Sequence, residues 1–213
     1  MEAMHHIISS TLFFTIATVA WSAFVTSDTL YRTPRYVWVA TLPVHVVLYP
    51  SILLASYMTH PYESTVTWLF HEPSRAYERL FMYLFIGHFV KDFYVSSMTK
   101  EYIVHHAISI AFAVRFLFWE THSTCFCVGA MVMELGSATQ TLLFLYPCRK
   151  TLALHKWGMT ASNTVAFVLQ CAFVCLNKDP LHRIMAGASC VLCAVRQQFT
   201  MENIFIYSKW CKE

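Results

Sequence analysis

Two adjacent histidines and two acidic residues in apolar surroundings are the residues of this sequence best suited to chemistry. His105 and His106 form the pair, and Asp92 and Glu134 are the acids. A histidine can accept a proton from a hydroxyl or an amine near neutral pH, and a carboxylate on its other ring nitrogen fixes the tautomer and stabilises the imidazolium. This combination suits acyl transfer, with a histidine as the general base and Asp92 or Glu134 orienting it.

Counting residues from the turns places these groups at similar depth in antiparallel helices. Asp92 lies seven residues before Thr99, where one turn is centred, and His106 lies seven residues after it. At 1.5 Å per residue, both lie about 10 Å from that turn. Counted from the next turn, at residues 121–122, Glu134 lies within roughly one helical turn of the His106 level. The spacing predicts one layer of carboxylate, histidine pair and carboxylate, although equal depth alone does not make side chains face each other.

Other polar residues in the apolar stretches complete the candidate site. His88 lies one helical turn before Asp92, so the two share a helix face. A charge at the bilayer centre costs about 2.5–3.5 kcal/mol on insertion scales, so each one needs an ion pair, a wet cavity or a function. Structural salt bridges between helices are therefore the alternative to a functional role. Substrate binding and local charge balance are assigned to five residues: His88, Lys91, Ser137, Arg196 and Glu202.

Metal and cofactor binding are not predicted. Membrane hydroxylases and desaturases carry repeated histidine boxes that resemble H-x-x-x-H and H-x-x-H-H. Here Tyr102 stands where the first histidine of a box belongs, and the pair His5 and His6 is isolated near the N-terminus. Cys190 and Cys193 have the C-x-x-C spacing without the second pair that a zinc site needs.

The elements that must position these residues are membrane helices. Hydrophobic residues make up 57% of the 213 residues and charged ones only 13%, about half the share in a soluble domain. Three stretches without charged residues exceed the roughly 18 that predict a spanning helix: 3–27, 36–62 and 157–177. The expected spans within them are 4–26, 36–58 and 157–177.

Four more apolar stretches contain charged residues but are still long enough to span: 79–98, 102–119, 123–147 and 182–207. The prediction is an all-α polytopic membrane bundle of about seven transmembrane helices, within a range of six to eight, in one domain over residues 1–213. Pro43 and Pro50 are expected to bend the second helix, and a short interfacial helix is expected near 66–70.

The basic residues of the loops predict the orientation. Eight Lys and Arg fall on one side and four on the other, which places the N-terminus in the lumen and the C-terminus in the cytoplasm. The first span lacks a basic segment before it, which favours an uncleaved helix over a signal peptide. No basic stripe with exposed aromatic residues indicates nucleic acid.

Three motifs in order resemble the TLC domain, the membrane domain shared by ceramide synthases and smaller TLC-domain proteins. They are 89–94 (Phe-Val-Lys-Asp-Phe-Tyr), 104–110 (Val-His-His-Ala-Ile-Ser-Ile) and 133–137 (Met-Glu-Leu-Gly-Ser), within a matching region of about 75–145. The resemblance implies a multi-pass protein of lipid metabolism in the endoplasmic reticulum or another internal membrane. It implies functional roles for four matched positions: Asp92, His105, His106 and Glu134.

The resemblance leaves two activities open. In ceramide synthases the histidine pair is linked to fatty-acyl transfer from acyl-CoA to a sphingoid amine, which makes acyl-CoA a candidate co-substrate. The segment around Met133 and Glu134 is closer to the smaller proteins, and these imply a non-catalytic lipid-binding protein that regulates membrane lipid composition or trafficking. A transporter or receptor is the third hypothesis. The expected partners are membrane lipids, with a homodimer left open.

Overall fold

The chain folds almost entirely into helices, in a computed structural model that describes residues 2–25, 29–30, 33–59, 64–70, 76–96, 98, 100–119 and 122–210. The turn centre at Thr99 and three basic residues counted for orientation, Arg32, Arg75 and Lys212, lie outside these residues. The elements are α1 (Glu2–Trp21), β1 (Thr29–Leu30), β2 (Thr33–Pro34), α2 (Arg35–Pro43), a π-helical segment (Val44–Leu48), α3 (Tyr49–Thr59), α4 (Thr65–Phe70), α5 (Ala76–Val95), α6 (Lys100–Trp119), α7 (Ser123–Leu145), α8 (Arg149–Leu176) and α9 (Pro180–Trp210).

The predicted helices are present, but fewer of them qualify as membrane spans than the sequence suggested. In the described part of the chain, four helices are long and apolar enough to cross a membrane: Glu2–Trp21, Arg35–Thr59, Ser123–Leu145 and Arg149–Leu176. Four of the seven predicted spans are therefore supported. α5, α6 and α9 lie where helices were predicted, and charged residues lower their apolarity. The short helix predicted near 66–70 is confirmed as α4.

The two prolines of the second span change the winding of the helix between them. Pro43 ends α2, and the five residues Val44–Leu48 form a π-helical segment before α3 begins. A proline inside a helix removes a backbone donor and its ring clashes with the preceding turn, so the regular hydrogen-bond pattern cannot continue. The irregularity predicted at these prolines therefore takes the form of a wider turn, and that turn contains His45.

The structure divides into two compact units, 1–127 and 128–213. In the first unit α5 packs against α1, α3 and α6. Gly87 lets α1 approach closely, because a Cβ built there would lie 2.6 Å from Ser10 Cβ. Since other helices surround α5, it can carry charged side chains that a lipid-facing helix could not.

The second unit is dominated by α8 and α9, which pack along each other. Small residues bring α7 close to α8: a Cβ at Gly136 would lie 2.8 Å from Ser162 Cβ, and one at Gly158 would lie 2.6 Å from Thr139 Cγ2. Such small-residue contacts are typical of helices that associate in membranes.

Candidate functional site

The structure brings Asp92 and His106 into contact across the hairpin of α5 and α6. Asp92 Oδ2 lies 3.0 Å from His106 Nε2. Asp92 is near the end of α5 and His106 near the start of α6, so the antiparallel connection places them at one level, as the residue count predicted. His106 is 7% exposed.

The second ring nitrogen of His106 is also engaged. Nδ1 lies 3.0 Å from the backbone oxygen of Tyr102, one turn earlier on α6. A carbonyl oxygen can only accept, so Nδ1 donates. A neutral imidazole has a single donor, and the contact between Nε2 and Asp92 therefore needs a second proton, on the ring or on the carboxyl group.

Lys91 decides where that proton lies. Its Nζ is 2.7 Å from Asp92 Oδ1, and its side chain is only 1% exposed. A buried ammonium group requires an anionic partner, so Asp92 is ionised. With a proton on each ring nitrogen, His106 would donate to both acceptors. Lys91, Asp92 and His106 form a cluster in which one carboxylate contacts both an ammonium group and an imidazole ring.

His105 occupies a different environment from its neighbour. It is half-buried, and its ring lies 5.6 Å from the His106 ring in a T-shaped arrangement and 6.0 Å from the Phe89 ring. Successive helical residues point about 100° apart. Of the two histidines, His106 is therefore the one that contacts Asp92, and the His105 ring lies next to the His106 ring.

His88 extends the cluster to the π-helical segment. It is 2% exposed, and its ring lies 5.4 Å from the His45 ring and 6.4 Å from the Tyr49 ring. His45 and Tyr49 are themselves buried and were missed by the sequence analysis. The available signal was the pair of prolines around them, since π-helical turns are frequent at functional sites.

A buried acid, Glu78, forms a second polar cluster in the first unit. Ser56 Oγ and Thr124 Oγ1 both donate to Glu78 Oε1, the latter at 3.4 Å, and Trp68 Nε1 donates to Ser56 Oγ at 3.3 Å. Glu78 is fully buried. Glu78 precedes the span predicted at 79–98, so the sequence predicts no role for it.

In the second unit the structure joins two of the predicted residues. Arg196 Nη2 donates to Ser137 Oγ at 2.9 Å, to the backbone oxygen of Met133 and, at 3.5 Å, to Met159 Sδ. Three helices therefore meet at one guanidinium group, with Met133 and Ser137 on α7 and Met159 on α8.

Glu134 and Glu202 are the two remaining predicted residues. Glu134 is buried on α7 and belongs to unit 128–213, whereas Asp92, His105 and His106 belong to unit 1–127, so neither unit by itself assembles the predicted four-residue layer. Glu202 is exposed on α9 and accepts a hydrogen bond from Gln198 at 3.1 Å. It lies six residues beyond Arg196, about 9 Å along the axis.

Neither a metal-binding group nor a comparison with known proteins adds a residue to the candidate site. No group of three or more His, Cys, Asp or Glu within the described ranges could hold a metal ion. Comparisons of the chain with protein-family models, with curated proteins and with solved structures find no match.

Proposed function

We propose that the chain is a TLC-like multi-pass protein of an internal membrane, such as the endoplasmic reticulum, that transfers a fatty acyl group from acyl-CoA to a lipid acceptor. In this proposal α5, α6 and α9 also cross the membrane, giving seven spans with a lumenal N-terminus. The single observation that supports it is the 3.0 Å contact between Asp92 and His106, charged and largely buried beside Lys91. Ionised groups at such depth are costly unless they have a function or a partner.

The proposal gives the two histidines different roles. In it His106 is protonated and donates through both ring nitrogens, so it supplies positive charge and does not accept a proton. His105 is the general base: it removes the proton from the hydroxyl or amine of the acceptor, which attacks the thioester carbonyl carbon. The positive charge of His106 stabilises the resulting oxyanion electrostatically, without a hydrogen bond to it. Collapse breaks the carbon–sulfur bond, and His105 returns the proton to the departing CoA thiolate.

A non-catalytic lipid-binding protein is the second candidate function. The observation that favours it is the internal pairing of the cluster, because Lys91 and His106 both contact the Asp92 carboxylate. In that case the same groups stabilise α5 against α6, and the protein regulates lipid composition or trafficking through binding alone.

The experiment that separates the two candidates is acyl transfer in microsomes with labelled acyl-CoA. We expect His105→Ala to lower the rate by about 10²–10⁴-fold, the usual contribution of a general base. His106→Ala should lower it less, because Asp92 and Lys91 remain. His5→Ala is the matched control, since His5 is an exposed residue on α1. Equal amounts of membrane-inserted protein are required for each variant.

Unchanged transfer in both single variants and in the double variant would remove the acyl-transfer proposal. Lipid that co-purifies with the protein without any turnover would support the non-catalytic candidate. Loss of activity in His106→Ala with full activity in His105→Ala would refute the division of roles between the two histidines.

A further inference from the structure

Four cysteines lie on α8 and α9, the two helices that pack along each other, and the proposed function uses none of them. Cys171 and Cys175 are one turn apart on α8, and Cys190 and Cys193 are about one turn apart on α9. All four are free thiols, of which the α8 pair is exposed, Cys190 is partly exposed and Cys193 is buried. Which of these thiols are in contact decides what they can do to one another.

The packing of α8 on α9 brings Cys171 and Cys190 to the same level. Asn163 Nδ2 donates to Gln197 Oε1 at 2.8 Å. Cys171 lies eight residues after Asn163, and Cys190 lies seven residues before Gln197. Because the helices are antiparallel, these intervals of about 12 Å and about 10 Å along the two axes end nearly level with each other.

The two cysteines also lie on the helix faces that meet. Gln197 Nε2 donates to Thr160 Oγ1 at 3.1 Å across the interface. Cys190 is seven residues from Gln197 and Cys171 is eleven residues from Thr160. Seven and eleven residues are close to whole numbers of helical turns, so each cysteine shares a face with one partner of that hydrogen bond. The side chains of Cys171 and Cys190 are accordingly hydrogen-bonded to each other.

The surface around Cys171 determines which oxidant can reach this pair. α8 is long and apolar enough to cross a membrane. Phe167 and Val168, one turn before Cys171, are 46% and 58% exposed. An exposed thiol among such side chains meets hydrocarbon when the helix spans a membrane, and charged oxidants such as glutathione disulfide are excluded from hydrocarbon. An uncharged hydroperoxide of a lipid dissolves there.

We propose that Cys171 and Cys190 form a redox-sensitive site at which a lipid hydroperoxide converts the two thiols into a disulfide between α8 and α9. The sulfur of Cys171, the more exposed thiol, attacks the terminal peroxide oxygen. The oxygen–oxygen bond breaks, the thiol proton passes to the departing alkoxide, and the products are an alcohol and a sulfenic acid on Cys171.

The second step closes the bond. The sulfur of Cys190 attacks the sulfur of Cys171, the sulfur–oxygen bond breaks, and hydroxide leaves as water with the proton of Cys190. Two thiols and one hydroperoxide thus give one disulfide, one alcohol and one water. The sulfur pair loses two electrons and the peroxide gains two. Both cysteines lie in residues 128–213, so the site is independent of the proposed roles of Asp92 and His106.

The test is oxidation of the purified full-length chain, one copy per nanodisc, with cumene hydroperoxide as the probe. After unfolding in dodecyl sulfate, Cys171 and Cys190 should be lost from maleimide labelling, and mass spectrometry should find their two peptides joined. A disulfide restricts the unfolded chain, so the oxidised protein should have a higher thermal midpoint. Dithiothreitol should reverse both changes. Cumyl alcohol, which has no oxygen–oxygen bond, should cause neither, and glutathione disulfide should also cause neither.

Single substitutions separate the two steps. Cys190→Ser should stop the reaction at the sulfenic acid of Cys171, which dimedone traps, whereas Cys171→Ser should leave Cys190 as a thiol. Cys175→Ser and Cys193→Ser are the matched controls, each one turn from a member of the pair, and both should still form the bond.

The proposal is overturned if Cys171 and Cys190 of the unmodified chain stay reactive to maleimide under excess cumene hydroperoxide. A bond from either cysteine to Cys175 or Cys193 would also overturn the assignment of the pair. Bond formation with glutathione disulfide but not with cumene hydroperoxide would overturn the lipid-soluble oxidant. A dimedone adduct on Cys190 in Cys171→Ser, without one on Cys171 in Cys190→Ser, would overturn the order of the two steps.

Discussion

Substitution of Asp92 by Asn gives the most direct test of the charged cluster. The Lys91 ammonium group lies 2.7 Å from the Asp92 carboxylate, and the two side chains are 1% and 17% exposed. Removing one partner of a buried pair leaves an uncompensated charge and costs about 3–5 kcal/mol. We expect about 3 kcal/mol for Asp92→Asn, the lower end, because Asp92 retains some contact with the solvent.

The companion variant removes the stranded charge. Lys91→Met replaces the ammonium group by an apolar side chain of similar length, so Lys91→Met combined with Asp92→Asn should be more stable than Asp92→Asn alone. The interaction energy from the double-mutant cycle should be about 2 kcal/mol or more, since contacting residues usually couple by about 0.5–3 kcal/mol and this pair is buried.

The assay is reversible unfolding in mixed micelles, titrated with a denaturing detergent. Lys100→Met is the control, because Lys100 is exposed at the start of α6, and we expect it to change the free energy of unfolding by no more than about 0.5 kcal/mol. If the effects of Lys91→Met and Asp92→Asn add within about 0.5 kcal/mol, the two groups do not form the ion pair that the proposed roles of the histidines require.

Two further substitutions test helix packing and a loop thiol. Gly87→Ala places a Cβ 2.8 Å from the backbone atoms Ser10 C and Thr11 N, which cannot swing away, so it should destabilise by about 1–3 kcal/mol. The control is Gly187→Ala, whose Cβ would meet no described atom within 4 Å. It should stabilise the protein by up to about 1 kcal/mol in the same titration. Equal effects of Gly87→Ala and Gly187→Ala would contradict the close approach of α1 to α5. A side-chain hydrogen bond from Thr151 lowers the pKa of the Cys148 thiol. The thiolate that reacts with maleimide therefore persists to lower pH. Thr151→Val should move the pH of half-maximal Cys148 labelling upward, measured against Cys148→Ser, and an unchanged pH profile would exclude this hydrogen bond.

The spacing of charged residues predicted the helices, and four of the seven predicted spans are long and apolar enough to cross a membrane in the described part of the chain. Long charge-free stretches coincide with α1, the helical segment 35–59 and α8, since uncharged apolar residues favour a helix in any apolar environment. α5 was also placed correctly, yet its charges are tolerated because it packs against three other helices. Hydrophobic pattern alone does not distinguish a helix surrounded by protein from one surrounded by lipid.

Depth from the turns predicted the contact between Asp92 and His106, and the place of Glu134 in the same layer stays a prediction. Asp92 and His106 lie on consecutive helices joined by a short turn, so equal distance from that turn nearly determines which residues are level. Glu134 was placed within roughly one helical turn of the His106 level by counting from the next turn, and it belongs to unit 128–213. The count supplies a position along a helix axis and says nothing of the rotation about it.

The sequence did not predict the polar clusters whose members come singly from distant parts of the chain. Glu78 meets Ser56 and Thr124, which are 22 and 46 residues away along the chain, and Trp68 donates to Ser56. None of these residues repeats at a helical period with another, and Glu78 itself lies at the start of α5, where an acid is ordinary. His155, which is fully buried on α8, shows the same limit, because a lone histidine near the start of an apolar helix has no spacing that indicates burial. Their importance arises only when helix ends from distant parts of the chain enclose them, because burial turns an ordinary polar side chain into one that must have a partner.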